Sequence, residues 1–160
     1  MERDLSGLPH YLVLQGVLDR LARDAAGLSD PWWVFGSAGM ALVGAPGLSP
    51  PDVDLIVSER DAAALIGLWN AQRAEAAPSP LFRSKVFARA SIAALPIEIM
   101  AGFESFSAGA WTPVAPATRI AIPWNGARLY APDAAEQAAI CRRFGRPKDL
   151  ARVALLEALI

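Results

Sequence analysis

At 160 residues the chain is long enough to bury a sizeable core, and its length predicts one domain, 1–160. It is 54% hydrophobic and 19% charged, with mean hydropathy +0.30, yet no apolar run reaches the length of a bilayer span. A net charge of −1 without a basic tract argues against long nucleic acid as a partner, and the lone Cys141 excludes an intramolecular disulfide or a cysteine-based zinc site. The polar start, Met1-Glu2-Arg3-Asp4, is followed by no uninterrupted apolar core of the signal-peptide kind, so the expected location is cytoplasmic, with no membrane partner.

The first predicted element is a helix over Leu8–Leu28, where Leu12, Leu14, Val17, Leu18 and Leu21 recur at helical spacing and Gly27 marks its end. Asp30-Pro31 is a turn, Trp32–Phe35 a short buried strand, and Ser37–Val43 a short helix. A Gly- and Pro-rich loop over Gly44–Pro51 leads to a strand at Val53–Val57. Ser58, with Asp61, starts a helix expected to reach about Ala76, and Ala77-Pro78-Ser79-Pro80 breaks the chain. Ser84–Ala90 and Ile92–Ala101 read as strands, with a hairpin as the candidate pairing; Phe103–Pro116 fits no single pattern. Arg119–Pro123 and Ala127–Tyr130 read as strands joined by a Trp124-Asn125-Gly126 turn. Asp133 caps a helix to Phe144, and Pro147 opens a last helix to Ile160. Helices and strands alternate, then strands cluster, then helices close the pattern. This predicts an α/β (α+β) fold: a mixed β-sheet flanked by helices, with C-terminal helices.

Two motifs carry chemistry. Trp33-Val34-Phe35-Gly36-Ser37 runs from strand to helix, a turn that exposes backbone N–H groups suited to a phosphate. An ordinary turn with Ser37 as N-cap reads equally well from that pair alone. Pro51-Asp52-Val53-Asp54-Leu55-Ile56-Val57 places two carboxylates one residue apart on an apolar strand. Side chains alternate along a strand, so Asp52 and Asp54 share a face and repel. A hard divalent cation such as Mg2+ relieves that repulsion. In Leu95-Pro96-Ile97-Glu98-Ile99-Met100, Glu98 is a charge inside an apolar strand and needs a solvated edge, a cation or a metal.

The two motifs resemble those of the nucleotidyltransferase superfamily, the fold shared with DNA polymerase beta. Gly36-Ser37 and Asp52-Val53-Asp54 match its signature, and Arg146-Pro147-Lys148-Asp149 resembles the Arg-x-Lys-Asp motif of small bacterial members, including the abortive-infection toxin type. The resemblance spans about Pro31–Ile160. It implies that Asp52, Asp54 and Glu98 are catalytic and bind metal, with Glu98 as third acid and proton acceptor. Gly36, Ser37, Lys148 and Asp149 then bind the nucleotide phosphates. The implied activity is Mg2+- or Mn2+-dependent transfer of a nucleoside monophosphate from an NTP to an acceptor hydroxyl. The acceptor is open, with a small molecule or a protein favoured over long nucleic acid, and a homodimer or a partner chain is possible. The alternative is a noncatalytic nucleotide- or partner-binding module of the same fold, such as a toxin–antitoxin component.

Two departures stand out. Glu98 replaces the more usual Asp, with Glu104 as its competitor. Toxin-type members carry a basic residue and Thr before Asp-x-Asp, where this chain has Leu48-Ser49-Pro50-Pro51. Ser84, Lys85, Arg89 and Arg119 are the substitutes to consider; Arg146 is a weaker candidate for the work of Lys148 and Asp149. His10, the only histidine, has no evident partner, and Cys141 reads as core.

Overall fold

The computed structural model describes residues 3–74 and 79–160. Helix α1 (Tyr11–Asp24) is extended by a 3-10 turn (Ala25–Gly27) and followed by strand β1 (Trp33–Phe35) and helix α2 (Gly36–Leu42). Next come β2 (Val53–Ile56), α3 (Glu59–Trp69), the short strands β3 (Gln72–Arg73) and β4 (Phe82–Arg83), then β5 (Val86–Ala90) and β6 (Ile97–Ala101). Hairpins β7 (Glu104–Ser107)–β8 (Ala110–Pro113) and β9 (Ile120–Trp124)–β10 (Ala127–Ala131) precede helices α4 (Ala134–Phe144) and α5 (Pro147–Glu157). This is the mixed α/β arrangement that the pattern of elements predicts. No helix among the described residues is long and apolar enough to cross a membrane.

The central sheet has the order β1-β2-β6-β5-β3, with β2 and β6 parallel and the other pairs antiparallel. Alternation gives its faces opposite characters. Val34, Val53, Leu55, Ala88, Ala90, Ile97, Ile99 and Ala101 are buried in one core with Leu14, Leu18 and Leu21 of α1 and Ala62, Leu65 and Trp69 of α3. The other face carries two rows of cross-strand neighbours. One row runs Phe35, Asp54, Glu98, Arg89; the next runs Trp33, Ile56, Met100, Phe87. An acidic row thus lies beside an apolar one.

Local chemistry explains the element ends. Ser58 and Asp133 accept from the backbone N–H groups of Asp61 and Glu136, as N-caps do. Gly145, at φ 70°, ends α4 in the left-handed region, and Pro147 takes the first turn of α5. Helix α3 is shorter than its sequence predicts. Asn70 adopts φ 49°, which Asn tolerates better than most residues, and the chain turns so that β3 pairs with β5. The expected helical stretch 71–76 therefore gives way to strand pairing at Gln72–Arg73; Glu75 and Ala76, with the Ala77-Pro78 break, lie outside the described residues. The unassigned stretch from Phe103 contains the β7–β8 hairpin, turned by Ala108 (φ 50°) and Gly109 (φ 79°). Asn125-Gly126 turns β9–β10 in the same way, and there the sequence signal was plain.

Glu136 ties α4 to the chain before β9. Its carboxylate accepts from the N–H of Ala117 (2.8 Å) and of Thr118 (2.9 Å) and from the Thr118 hydroxyl (2.5 Å). Burial alone would raise the Glu136 pKa, but these hydrogen bonds prevail and hold the carboxyl below its ordinary value. A folded pKa below the unfolded one stabilises the fold above the unfolded pKa and ceases to do so as pH falls through the folded one. Glu136→Gln is therefore expected to lower Tm at neutral pH by roughly 2–4 °C, the shift of about 1 kcal/mol in a chain this size. In thermal melts at falling pH the difference should close; a gap that stays constant in acid would contradict the assignment.

Candidate active site

Register brings the three acids together. Asp54 and Glu98 are direct neighbours on parallel β2 and β6, and Asp52 lies two residues before Asp54 on the same side. One oxygen from each carboxylate falls within 4.8 Å of the others. Arg89, opposite Glu98 on β5, donates from Nη2 to Glu98 Oε1 at 2.5 Å. Asp54 Oδ1 is buried without a hydrogen-bond partner. Burial, then the charges of Asp52 and Glu98, push the Asp54 carboxyl up to about 8. Burial and the Glu98 charge also raise Asp52, against the pull of Arg89 and Lys148. Two carboxylates lifted by burial and neighbouring acids, with Asp54 Oδ1 left unpartnered, lack positive charge. Three hard oxygen donors at this spacing fit a cation of the Mg2+ type.

Gly36 makes the approach possible. Its φ of +65° is left-handed, and a Cβ placed there would lie 2.8 Å from Asp54 Oδ2. Ser37 follows at the start of α2, half-buried beside the acids. A cleft of about 370 Å³ opens over this face, lined by Gly36, Ser37, Asp52, Asp54, Glu98 and Lys148 on its polar side. All seven expected site residues line this space, Asp149 included.

Asp149 differs from the other six in its partner. It is only 2% exposed and accepts from Arg146 through Nε (2.6 Å), Nη2 (3.0 Å) and backbone N–H (3.2 Å). This two-pronged pairing fixes the guanidinium, which also lies over the Phe82 ring at 4.8 Å and lines the cleft. Asp149 is thus a support for Arg146, which a sequence reading rates as the weaker residue. Lys148, exposed on the first turn of α5, presents its charge to the acids. Lys148→Ala is expected to weaken nucleotide–metal binding about tenfold with little change in Tm. Asp149→Ala should lower Tm by several degrees and weaken binding through Arg146, because the half-buried guanidinium loses the carboxylate that fixes it. Parallel melts and nucleotide titrations separate the two.

The remaining candidates fall elsewhere. Glu104 pairs with Arg83 (2.9 Å) and is not in the acid cluster. Arg119 stacks on Tyr130 at 3.3 Å and lines a separate groove. The Lys85 stem packs over Gly102, whereas Ser84 lines the cleft. His10 is exposed at the start of α1. Cys141 is buried in the cleft wall, and burial pushes its thiol up to about 11. Sequence reasoning missed Gln137, Arg152 and the cleft's phenylalanines. Gln137 is buried, with Nε2 donating to Pro132 O (2.7 Å) and Gly39 O (3.3 Å). The phenylalanines come from separate elements, so no periodicity announces them.

No family model matches the sequence, and no curated protein matches it. Solved structures do. A Thermotoga maritima protein described as a nucleotidyltransferase superposes with a TM-score of 0.65 at 20% identity, covering 99% of this chain and 92% of its own. The lincosamide antibiotic adenylyltransferase LnuA, solved with lincomycin bound, gives 0.59 at 8% identity, covering 96% of this chain and 99% of its own. An antigenic nucleotidyltransferase-like protein from Paracoccidioides brasiliensis gives 0.55 at 16%, covering 92% and 76%. The chain shares the fold of these solved structures.

Proposed function

We propose that this protein is a nucleotidyltransferase of one domain, 1–160, acting in the cytoplasm with Mg2+ or Mn2+ and an NTP. The observation that carries the reading is the convergence of Asp52, Asp54 and Glu98, with the unpartnered Asp54 Oδ1, beside Gly36-Ser37 in an open cleft. The three acids would hold the cation, which when bound would neutralise charge on the phosphates. Gly36 leaves room for the Asp54 carboxylate, and Ser37, Lys148 and Arg146 would position the triphosphate. In the reaction an acceptor hydroxyl oxygen bonds to the α-phosphorus. The bond from that phosphorus to the oxygen of the β-phosphate breaks, and pyrophosphate leaves. The hydroxyl proton passes to the Glu98 carboxylate. Positioning and electrostatics do most of this work, so few side chains are needed. Nucleotidyl transfer also agrees with the neighbours' descriptions, one of them an antibiotic adenylyltransferase.

The test is thermal stability with each NTP plus Mg2+ or Mn2+, in wild type and in Asp52→Asn/Asp54→Asn. A ligand that binds only the folded state raises Tm. A metal-dependent rise lost in the double variant supports the site; no rise at millimolar NTP removes the reading. The Leu48-Ser49-Pro50-Pro51 departure favours the noncatalytic module as second reading. Binding without pyrophosphate release, together with a stable partner complex, would establish that module instead.

A further inference from the structure

We propose that the aromatic wall beside the acid row binds the acceptor, and that the acceptor is a small hydroxyl compound with an apolar or aromatic body and neutral or negative charge. The proposal rests on the nucleotidyltransferase reading and adds the class of molecule that receives the nucleotide.

The wall is built from four elements and one connecting residue. Phe35 ends β1, Phe82 lies on β4, Phe87 on β5 and Phe144 on α4, while Phe103 precedes β7. Their rings meet edge to face or tilted: Phe82–Phe144 at 4.8 Å, Phe82–Phe103 at 5.7 Å, Phe35–Phe103 at 6.1 Å and Phe35–Phe144 at 6.3 Å. Packing would normally bury such a cluster, yet Phe82, Phe87, Phe103 and Phe144 are only half-buried, and all line the cleft. Met100 and Phe87 belong to the sheet row next to Glu98 and Arg89. An apolar body resting on this wall would therefore lie one row from the acids. The cleft as a whole, about 370 Å³, falls in the range of small-molecule sites.

Charge narrows the class further. Among the described residues the carboxylates lining the cleft are Asp52, Asp54, Glu98 and Asp149. Three converge on the cation position, and Asp149 is occupied by Arg146. Arg83, Arg146, Lys148 and Arg152 line the same space. Arg83 and Arg146 are paired with Glu104 and Asp149, so a polycationic acceptor would meet Lys148 and Arg152 and find no spare carboxylate. A neutral or anionic one meets no such repulsion. A nucleobase could also stack on the rings, and the competition experiment below separates the two occupants. The step is that of the proposed function, with the acceptor hydroxyl as nucleophile and pyrophosphate as leaving group.

The test uses naphthylethanol as a neutral aromatic alcohol, kanamycin as a polycation, and the α,β-methylene analogue of whichever NTP raises Tm. Binding of each probe is titrated by calorimetry in the presence of Mg2+, with and without the analogue. The expected result is saturable naphthylethanol binding that persists when the analogue is bound, and no kanamycin binding. Phe82→Ala should weaken the alcohol about tenfold, the loss expected on removing a ring contact, while the analogue still binds. Phe82→Leu, which keeps apolar volume on the short β4, serves as the second variant and should weaken it less. Competitive displacement of the alcohol by the analogue would assign the wall to the nucleobase and overturn the proposal. Tighter binding of kanamycin than of the alcohol would also overturn it. Protein that binds the analogue but not the alcohol overturns this proposal alone; protein that binds neither removes the nucleotidyltransferase reading as well.

Discussion

Asp54→Asn is expected to make the cation-free protein more stable and to abolish its metal-dependent nucleotide binding. Burial and the neighbouring acids raise the Asp54 carboxyl from 3.8 to about 8. Between those values the folded state holds a proton that the unfolded chain releases. Stability therefore falls as pH rises across that interval, and the whole penalty is present above about pH 8. Asn carries no such penalty. In melts with a chelator the variant should match wild type near pH 4 and exceed it by on the order of 5 °C above pH 8. With Mg2+ and NTP the order should reverse, because only wild type gains stability from the ligand. A difference that does not change with pH would show that Asp54 is ionised in the free protein and that its neighbours already balance its charge.

Gly36→Ala should disable the same site from the other side of the contact. A left-handed φ of +65° costs a non-glycine residue about 1–2 kcal/mol. The new methyl would also lie 2.8 Å from Asp54 Oδ2, so the carboxylate or the turn must move. The expected loss is roughly 2–3 kcal/mol, or about 5–10 °C in Tm, together with loss of metal-dependent nucleotide binding. Gly47 is the control. Its φ is +72°, but nothing lies within 4 Å of a Cβ built there. Gly47→Ala should therefore show the backbone cost alone and leave nucleotide binding intact. Equal loss of binding in both variants would mean that the contact with Asp54 is unimportant.

The legible parts of the sequence were those with local signals. Helical periodicity gave the buried stripe of α1 at Leu14, Val17, Leu18 and Leu21, although Leu12, expected on the same face, is exposed; Ser58 and Asp133 announced helix starts, and Asn125-Gly126 announced a hairpin. The spacing of Asp52 and Asp54 put them on one face, which β2 confirms for Asp54 and the cleft lining for both. What failed depended on distant partners. Nothing local tells that 72–73 will leave a helix to pair with β5. Ala108-Gly109 makes the turn that Asn-Gly makes elsewhere, but without its signature. Asp149 looked like a phosphate contact because its grip on Arg146 is a matter of side-chain direction. The phenylalanine wall was invisible, since its members meet only when separate elements pack.

Asp54 and Glu98 are neighbours on the one parallel pair of the central sheet. Parallel strands cannot be joined by a tight turn, and here α3 and β3–β5 lie between them in the chain. The pair can form only once that intervening chain has closed, which is a non-local and slow kind of contact. An incompletely folded chain therefore has no paired acids to hold a cation. Metal binding followed during refolding would report arrival of the native sheet, whereas hairpins such as β9–β10 could form earlier without it.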